Sequence, residues 1–539
     1  MMSHRIEIST FGDLLLKAAD RWPDNKALIF PDSEATYIQL AESAYRKARS
    51  FLGIGIKRRD HVGILMANCP EYIESLLGLQ LIGAMAVPMN ARYKSRELSY
   101  VIENADLRCL ITSDLTSEYA DFSNLLQQAF EDLVESQNPL NLSLVGAPKL
   151  NSIVMLGTSN PAGFVDQKSF NDLGNSVNRE SVEALRVKAI LKEPTIMMYT
   201  SGTTSQPKGC PLSHEVLIRS GINMNRERYF LEESDRFWAP LPMFHMASIL
   251  PLIACMDSGA AMQSMTYFDA GQALEMMERD GTTIAFPAFP TVTNELINHP
   301  EFKMRDLSKI RRINNVAPED MLRKFQEAFP QAKQTGAFGL TEVGGVIAFN
   351  HPDETLESRL TTCGKPFPGV DVKIIDPETH EEKRTNERGE IIVRGYAVFE
   401  GYYKAPEKNQ ESFLDEWFRT GDLGSLNEEG NILFHGRIKD TLKVGGENVA
   451  ALEIESYLAT HPSVKLAQVV GVPDKRLLEV PAAFIELNPN STLTEDELIE
   501  FCKGKIASFK VPRFVRFVNE WPMSSTKVQK FKLLEDFEP

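Results

Sequence analysis

A chain of 539 residues is too long for a single hydrophobic core, so two or more domains are expected. Its 43% hydrophobic, 24% charged and 9% aromatic content excludes the disordered and fibrous classes. A formal net charge of −16 excludes nucleic acid or an anionic membrane as the main partner, although a local basic patch can still hold a small polyphosphate.

In chain order, MMSHRIEISTFGDLLLKAADRW lacks a continuous apolar core of the signal-peptide kind, and Leu14 to Leu16 with Ala18 and Ala19 predict one face of an ordinary helix. The apolar runs VGILMA (62–67), AMAVPM (84–89), CLIT (109–112) and SIVML (152–156) alternate with helical patterns such as Tyr72 to Ile82. That alternation predicts stacked βαβ units whose parallel sheets are buried on both faces. The most apolar stretches, 76–89 and 249–265, are short for a membrane span, and no transmembrane segment is expected. The six cysteines are scattered, without a CxxC pair or a histidine at metal-ligand spacing, which predicts reduced thiols and a cytoplasmic location. The ending FKLLEDFEP carries neither a prenylation cysteine nor a peroxisomal tripeptide.

After the apolar run at 196–199 comes TSGTTSQPKG (200–209). A Walker A loop needs glycine before its lysine and a hydroxyl after it, whereas here Pro207 precedes Lys208 and Gly209 follows, so that reading is rejected. What remains is a hydroxyl-lined loop of Thr200, Ser201, Thr203 and Thr204, with Gly202 permitting close backbone approach and Lys208 as a cation.

From about Gly364 the texture changes to short strands broken by turns: VDVKIID, GEIIVRG and GNILFHG, read as an antiparallel sheet or small barrel. GRIKDTLKVGGEN, dense in glycine and charge, precedes a fresh α/β pattern: a helix at 451–460, strands LAQVVGV and AAFIEL, and a helix at 495–508. The expected class is therefore α/β: a large N-terminal domain (1–436) of stacked βαβαβ sheets with a small β-barrel-like subdomain, and a small mobile C-terminal α+β domain (437–539). The glycine- and charge-rich stretch is the natural hinge between them, and a ligand site at that junction is expected.

TSGTTSQPKG resembles the phosphate loop of the acyl-adenylate-forming superfamily: acyl-CoA synthetases, adenylation domains of peptide synthetases and beetle-type luciferases. VPMNARY (87–93), PLPMFH (240–245), GAFGLTE (336–342), FRTGDLG (418–424), GRIKDTLKVGGENV (436–449) and KVQKFKL (527–533) follow in that family's order and spacing, so the resemblance covers essentially the whole chain. The resemblance implies a role for each motif. Phe338 packs on adenine with Gly339 beside it, Thr341 meets the α-phosphate, and Glu342 holds Mg²⁺. Ala317 and Pro318 flank the nucleotide. Asp422 takes the ribose hydroxyls, Arg437 reaches the nucleotide, and Lys439 is the pivot. Lys527 bridges the substrate carboxylate and the α-phosphate, while Lys443, Gly445 and Gly446 face the pantetheine arm of CoA. His245 borders the carboxylate and gates the second substrate; Val316, Ala337 and Gly345 join it around the acyl group.

The chain also departs from the family's pattern. Thr526 stands where glycine usually precedes the lysine, leaving Lys530 as a competitor to Lys527. Ser205 replaces a loop glycine, and Asn314 to Pro318 with Ala337 alter the acyl pocket near its floor. Trp238, Phe244, Phe286 and Phe289 point to an apolar acyl group, medium-chain, aromatic or cyclic. The implied activity is ATP-dependent acid–CoA ligation: carboxylate and ATP give acyl-AMP and pyrophosphate, then CoA gives acyl-CoA and AMP. A stand-alone adenylating enzyme that loads a carrier protein, or a catalytically silent homologue, are the alternatives. The oligomeric state is open, a homodimer included.

Overall fold

The computed structural model describes residues 9–117, 120–200, 206–444, 447–474, 476–489, 491–523, 528–535 and 537. Two seven-stranded sheets dominate it. One runs in the order Val165–Asp166, Ser152–Leu156, Leu107–Ser113, His61–Leu65, Met85–Pro88, Pro194–Thr200, Lys208–Ser213, parallel except at its last pair. The other runs Lys333–Thr335, Arg312–Asn315, Ile284–Ala288, Arg236–Trp238, Ala261–Gln263, Lys26–Phe30, Ser33–Thr36, again parallel but for its last pair.

The helices Tyr37–Gly53, Pro70–Ile82, His214–Met224 and Met246–Ser258 lie between these sheets, because their side chains share one core with residues of both: Val62 and Ile64 from the first, Leu28, Phe237 and Ile284 from the second. Pro70–Ile82 is buried on every face, which is why its sequence is apolar all round. Proline opens it at a position where no N–H partner is needed, and Gly83 closes it at φ +67. Separate cores cover the outer faces: Leu98, Val101 and Phe122 on the first sheet, Leu274, Leu296 and Phe329 on the second. The apolar stretch at 249–265 divides between Met246–Ser258 and the strand Ala261–Gln263. Among the described residues no helix is long and apolar enough to cross a membrane.

The β-rich part is a five-stranded antiparallel sheet in which Trp417–Leu426 pairs with Gly389–Gly395, Phe413–Leu414 and Ile432–Arg437. The turn Ile438–Asp440 leads from its last strand to a second five-stranded sheet, built on the hairpin Val464–Asp474 with Leu478–Leu487. The helix expected over 495–508 stops at Cys502, because Lys503 turns extended and Gly504 adopts φ +69. All six cysteines are free.

Candidate active site

The expected phosphate loop joins two antiparallel strands. Thr200 ends Pro194–Thr200 and pairs with Lys208, the first residue of the return strand. Ser201, Gly202, Thr203, Thr204 and the unusual Ser205 lie outside the described residues. The return strand is tied from behind, since Tyr403 N–H donates to Gly209 O at 2.8 Å. A Cβ at Gly209 would stand 2.8 Å from Met197 Sδ, so a larger residue there would have to displace that side chain.

Glu342 sits in the turn Thr341–Val343 and is 8% exposed. Its carbonyl accepts Phe399 N–H at 2.9 Å, and its Oε1 accepts the Tyr402 hydroxyl at 2.8 Å. Thus Phe399 to Tyr403, a segment no sequence argument singled out, links the Lys208–Gly209 strand to the Glu342 turn. Glycines then close the turn onto its neighbours. A Cβ on Gly339 would lie 2.2 Å from Gly345 O, and one on Gly345 would meet Met246 Cβ at 2.6 Å. Gly345 therefore abuts the start of the Met246–Ser258 helix, which His245 precedes as N-cap residue. The His245 ring lies 4.7 Å from that of Phe244.

The loop before His245 is pinned by Asn68, another residue missed in the sequence. Buried at the end of the strand His61–Leu65, it donates to Leu241 O at 2.9 Å and accepts Met243 N–H at 2.8 Å. Only a side chain with both donor and acceptor can do this.

Phe338 is buried, with its ring 6.0 Å from that of Phe434. Phe434 lies on the strand Ile432–Arg437, and the same strand brings Arg437 opposite Asp422, with Nε 3.2 Å from Oδ1. Gly421 turns at φ +69 before that carboxylate, its N–H held by Glu390 Oε1 at 3.1 Å, and the buried Glu390 is clamped by Arg419. Burial of Asp422 at 4% exposed leaves it dependent on such partners.

Val316 is half exposed and donates its N–H to Ala288 O, while Pro318 caps the helix Glu319–Ala328 and Ala317 packs towards Leu322 and Phe325. Ala337 is buried opposite Phe349. Asn314 and Asn315 turn inward instead of filling space with added bulk: Asn315 joins Thr293 and Gln334 by hydrogen bonds of 2.5 and 3.0 Å, and Asn314 donates to Thr335 O. The aromatic hints need correction. Trp238 is fully buried against Phe268, and Phe286 belongs to a cluster with Tyr229, Phe237 and Phe349, so both build core.

On the small sheet, Lys443 is exposed, with its N–H bonded to Glu479 Oε2 at 2.7 Å; Gly445 and Gly446 lie outside the described residues. Lys439 stands exposed on the turn Ile438–Asp440. Lys527 and Thr526 also lie outside the described residues. The competitor Lys530 is committed elsewhere: its Nζ is 2.6 Å from Oε1 of Glu455, which also takes Val469 N–H at 2.7 Å. Burial pushes the Glu455 carboxyl above its usual range, and the lysine opposes that shift.

The structure thus brings two runs together, one from Lys208 through Glu342 and Gly345 to His245, the other from Phe338 through Phe434 and Arg437 to Asp422. The profile for the AMP-binding enzyme family matches residues 15–403, and that for the AMP-binding enzyme C-terminal domain matches 453–528. YngI of Bacillus subtilis, which carries the assignment of acyl-CoA synthetase, is 34% identical over 98% of this chain and 97% of its own. The mitochondrial medium-chain acyl-CoA ligase ACSF2 of Rattus norvegicus is 30% identical over 99% of this chain and 88% of its own. Among solved structures, the anthranilate CoA ligase AuaEII in complex with anthranoyl-AMP superposes with a TM-score of 0.86 at 28% identity, covering 98% of this chain and 97% of its own.

Proposed function

This chain belongs to the AMP-binding enzyme family, and on that premise we propose which residues carry out its ATP-dependent ligation of a carboxylic acid to coenzyme A. In the first step a carboxylate oxygen attacks the α-phosphorus of ATP and the bond to pyrophosphate breaks. In the second the sulfur of CoA attacks the acyl carbon, AMP leaves, and the thiol proton passes to solvent. Neither step calls for a covalent enzyme intermediate, so the work is positioning and charge stabilisation.

The observation that carries the assignment is the linkage from the Lys208–Gly209 strand to the buried Glu342 carboxylate. Lys208 and the hydroxyls of Thr200, Ser201, Thr203 and Thr204, with Gly202, receive the β- and γ-phosphates. Thr341 meets the α-phosphate. Glu342 fits a magnesium ion: it is buried, and a cation that keeps its waters and bridges phosphates needs only one or two carboxylates from the protein. Among the described residues no three-carboxylate or His/Cys cage is present, and this mode of binding needs none. Bound there, the ion would offset phosphate charge as pyrophosphate departs.

Phe338 and Gly339 face adenine, with Ala317 and Pro318 beside it; Asp422 binds the ribose hydroxyls and Arg437 the nucleotide. Lys527 draws the two anions together in the first step. The domains meet at 436/437, and rotation about Lys439 exchanges Lys527 for Lys443, Gly445 and Gly446 at the site, where they receive the pantetheine arm past His245. The free thiols support a cytoplasmic location. A medium-chain acyl group is the substrate we favour, because the relative ACSF2, 30% identical over 99% of this chain, is a medium-chain acyl-CoA ligase. Acid-dependent pyrophosphate release across a panel of carboxylates tests this. Preference for a medium-chain acid supports the substrate, preference for a dicarboxylate overturns it, and AMP release that ignores CoA overturns the free-thiol acceptor.

A further inference from the structure

Tyr402 is held more firmly than a loop residue needs to be. Its N–H donates to Asn409 Oδ1 at 2.7 Å, its carbonyl accepts Asn409 Nδ2 at 3.0 Å, and its ring meets Phe399 edge-on at 4.8 Å. Gly401 before it runs at φ +135, where a Cβ would lie 2.9 Å from the Asn409 side chain. So constrained, the phenol reaches Glu342 Oε1 at 2.8 Å, and among the described residues it is the side-chain donor to that carboxylate. Tyr403 on one side grips Gly209 and Phe399 on the other grips the Glu342 carbonyl. One bracket therefore keeps carboxylate and phosphate strand in register.

We propose that Tyr402 is a positioning residue for the metal-binding carboxylate: by holding Oε1 it fixes the orientation of Glu342 and leaves Oε2 for the divalent cation that accompanies ATP. This rests on the reading of Glu342 as the magnesium ligand. A long side chain with free torsions would otherwise lose rotamer freedom each time the metal nucleotide binds. A hydrogen bond to an ionised acceptor, formed before binding, removes that cost. A tyrosine hydroxyl, whose ordinary pKa is about 10, is a donor at neutral pH. A lysine in its place would compete with the metal as a second cation, whereas a neutral phenol leaves the carboxylate its charge.

The test is Tyr402→Phe, with pyrophosphate release measured against magnesium concentration at saturating ATP. Half-saturation in Mg²⁺ should rise about tenfold, the scale of a hydrogen bond to a charged group, while kcat at saturating metal stays within about twofold. Calorimetric titration gives a readout apart from turnover. ATP without metal should bind the variant as it binds wild type, and the gain in affinity on adding Mg²⁺ should shrink. Glu342→Gln should raise the Mg²⁺ requirement at least as far, and the double variant no further. Asn409→Ala, which loosens the bracket and keeps the phenol, should give a smaller shift in the same direction. An unchanged Mg²⁺ dependence in Tyr402→Phe alongside a raised one in Glu342→Gln would overturn the positioning role and leave the metal site standing. If Glu342→Gln also leaves the dependence unchanged, the metal reading itself fails.

Discussion

The buried polar groups of the candidate site in the large domain and the lysines of the small one are held in opposite ways. Glu342, Asp422 and Asn68 are buried, and each is paired with a group from another segment: the Tyr402 hydroxyl, the Arg437 guanidinium, and the backbone of Leu241 and Met243. Lys439 and Lys443 are exposed, on a short turn and on the strand Thr441–Val444. What is firm in the small domain is internal: the Glu455–Lys530 pair and the bridge between Met523 and Val528 that flanks residues 524–527. Towards the large domain it makes the pair Arg388–Glu453, 2.9 Å long with both side chains about one-third exposed. A preorganised site needs rigid walls, whereas a part that must leave and return needs weak contacts and a stiff interior. The contrast suits an enzyme that binds with one domain and switches chemistry with the other.

The strongest way to sharpen this contrast is Lys527→Ala. Acid-dependent pyrophosphate release should fall by about a thousandfold, as for loss of a group that stabilises developing charge. Thioester formation from supplied acyl adenylate should stay within a few-fold; equal loss in both assays would deny the division of labour.

The next is to loosen the large domain. His214 is 1% exposed and accepts Phe11 N–H through Nδ1 at 3.2 Å, which joins the first helix to one between the sheets. Burial lowers its pKa from 6.5 to about 4, against the raising influence of Glu193 and Asp13. Because the unfolded chain binds this proton first, the stabilisation is complete above pH 6.5 and declines as pH falls towards 4. The loss amounts to about 3 kcal/mol. Denaturant midpoints should show that slope in wild type and lose it in His214→Gln.

Lys439→Pro tests the joint. A proline there fixes φ and restricts the preceding residue. Thioester formation should slow about tenfold, the effect of disfavouring one orientation by 1–2 kcal/mol, with pyrophosphate release little altered. Normal thioester formation would mean that rotation at this residue is not required. The smallest effect is expected from Arg388→Gln: a surface pair contributes about 0.5 kcal/mol, so melting should hardly move while the ratio of the two half-reaction rates shifts by about twofold.

Much of this was legible in the chain. The runs at 62–67, 109–112 and 152–156 became central parallel strands because continuous apolar runs of that length can only be buried on both faces. Gly421 was conspicuous as a glycine inside a quoted motif, and it needs positive φ. Motif register favoured Lys527 over Lys530, and the buried Glu455, 75 residues upstream, gives Lys530 a partner of its own. Tyr402 and Asn68 gave no signal at all, since a tyrosine in a loop and an asparagine after a strand are ordinary until their partners are known.

By itself the sequence determined the α/β class, the order of the motifs and the family chemistry, because periodicity and glycine placement are local properties and motif spacing survives in one dimension. Tertiary structure alone decided which polar groups are out of water and who satisfies them. Glu342 with Tyr402, Asp422 with Arg437 and the Leu241–Met243 loop with Asn68 are pairings across 60, 15 and about 175 residues. Their strength comes from burial and geometry, and neither is written in any short stretch of chain.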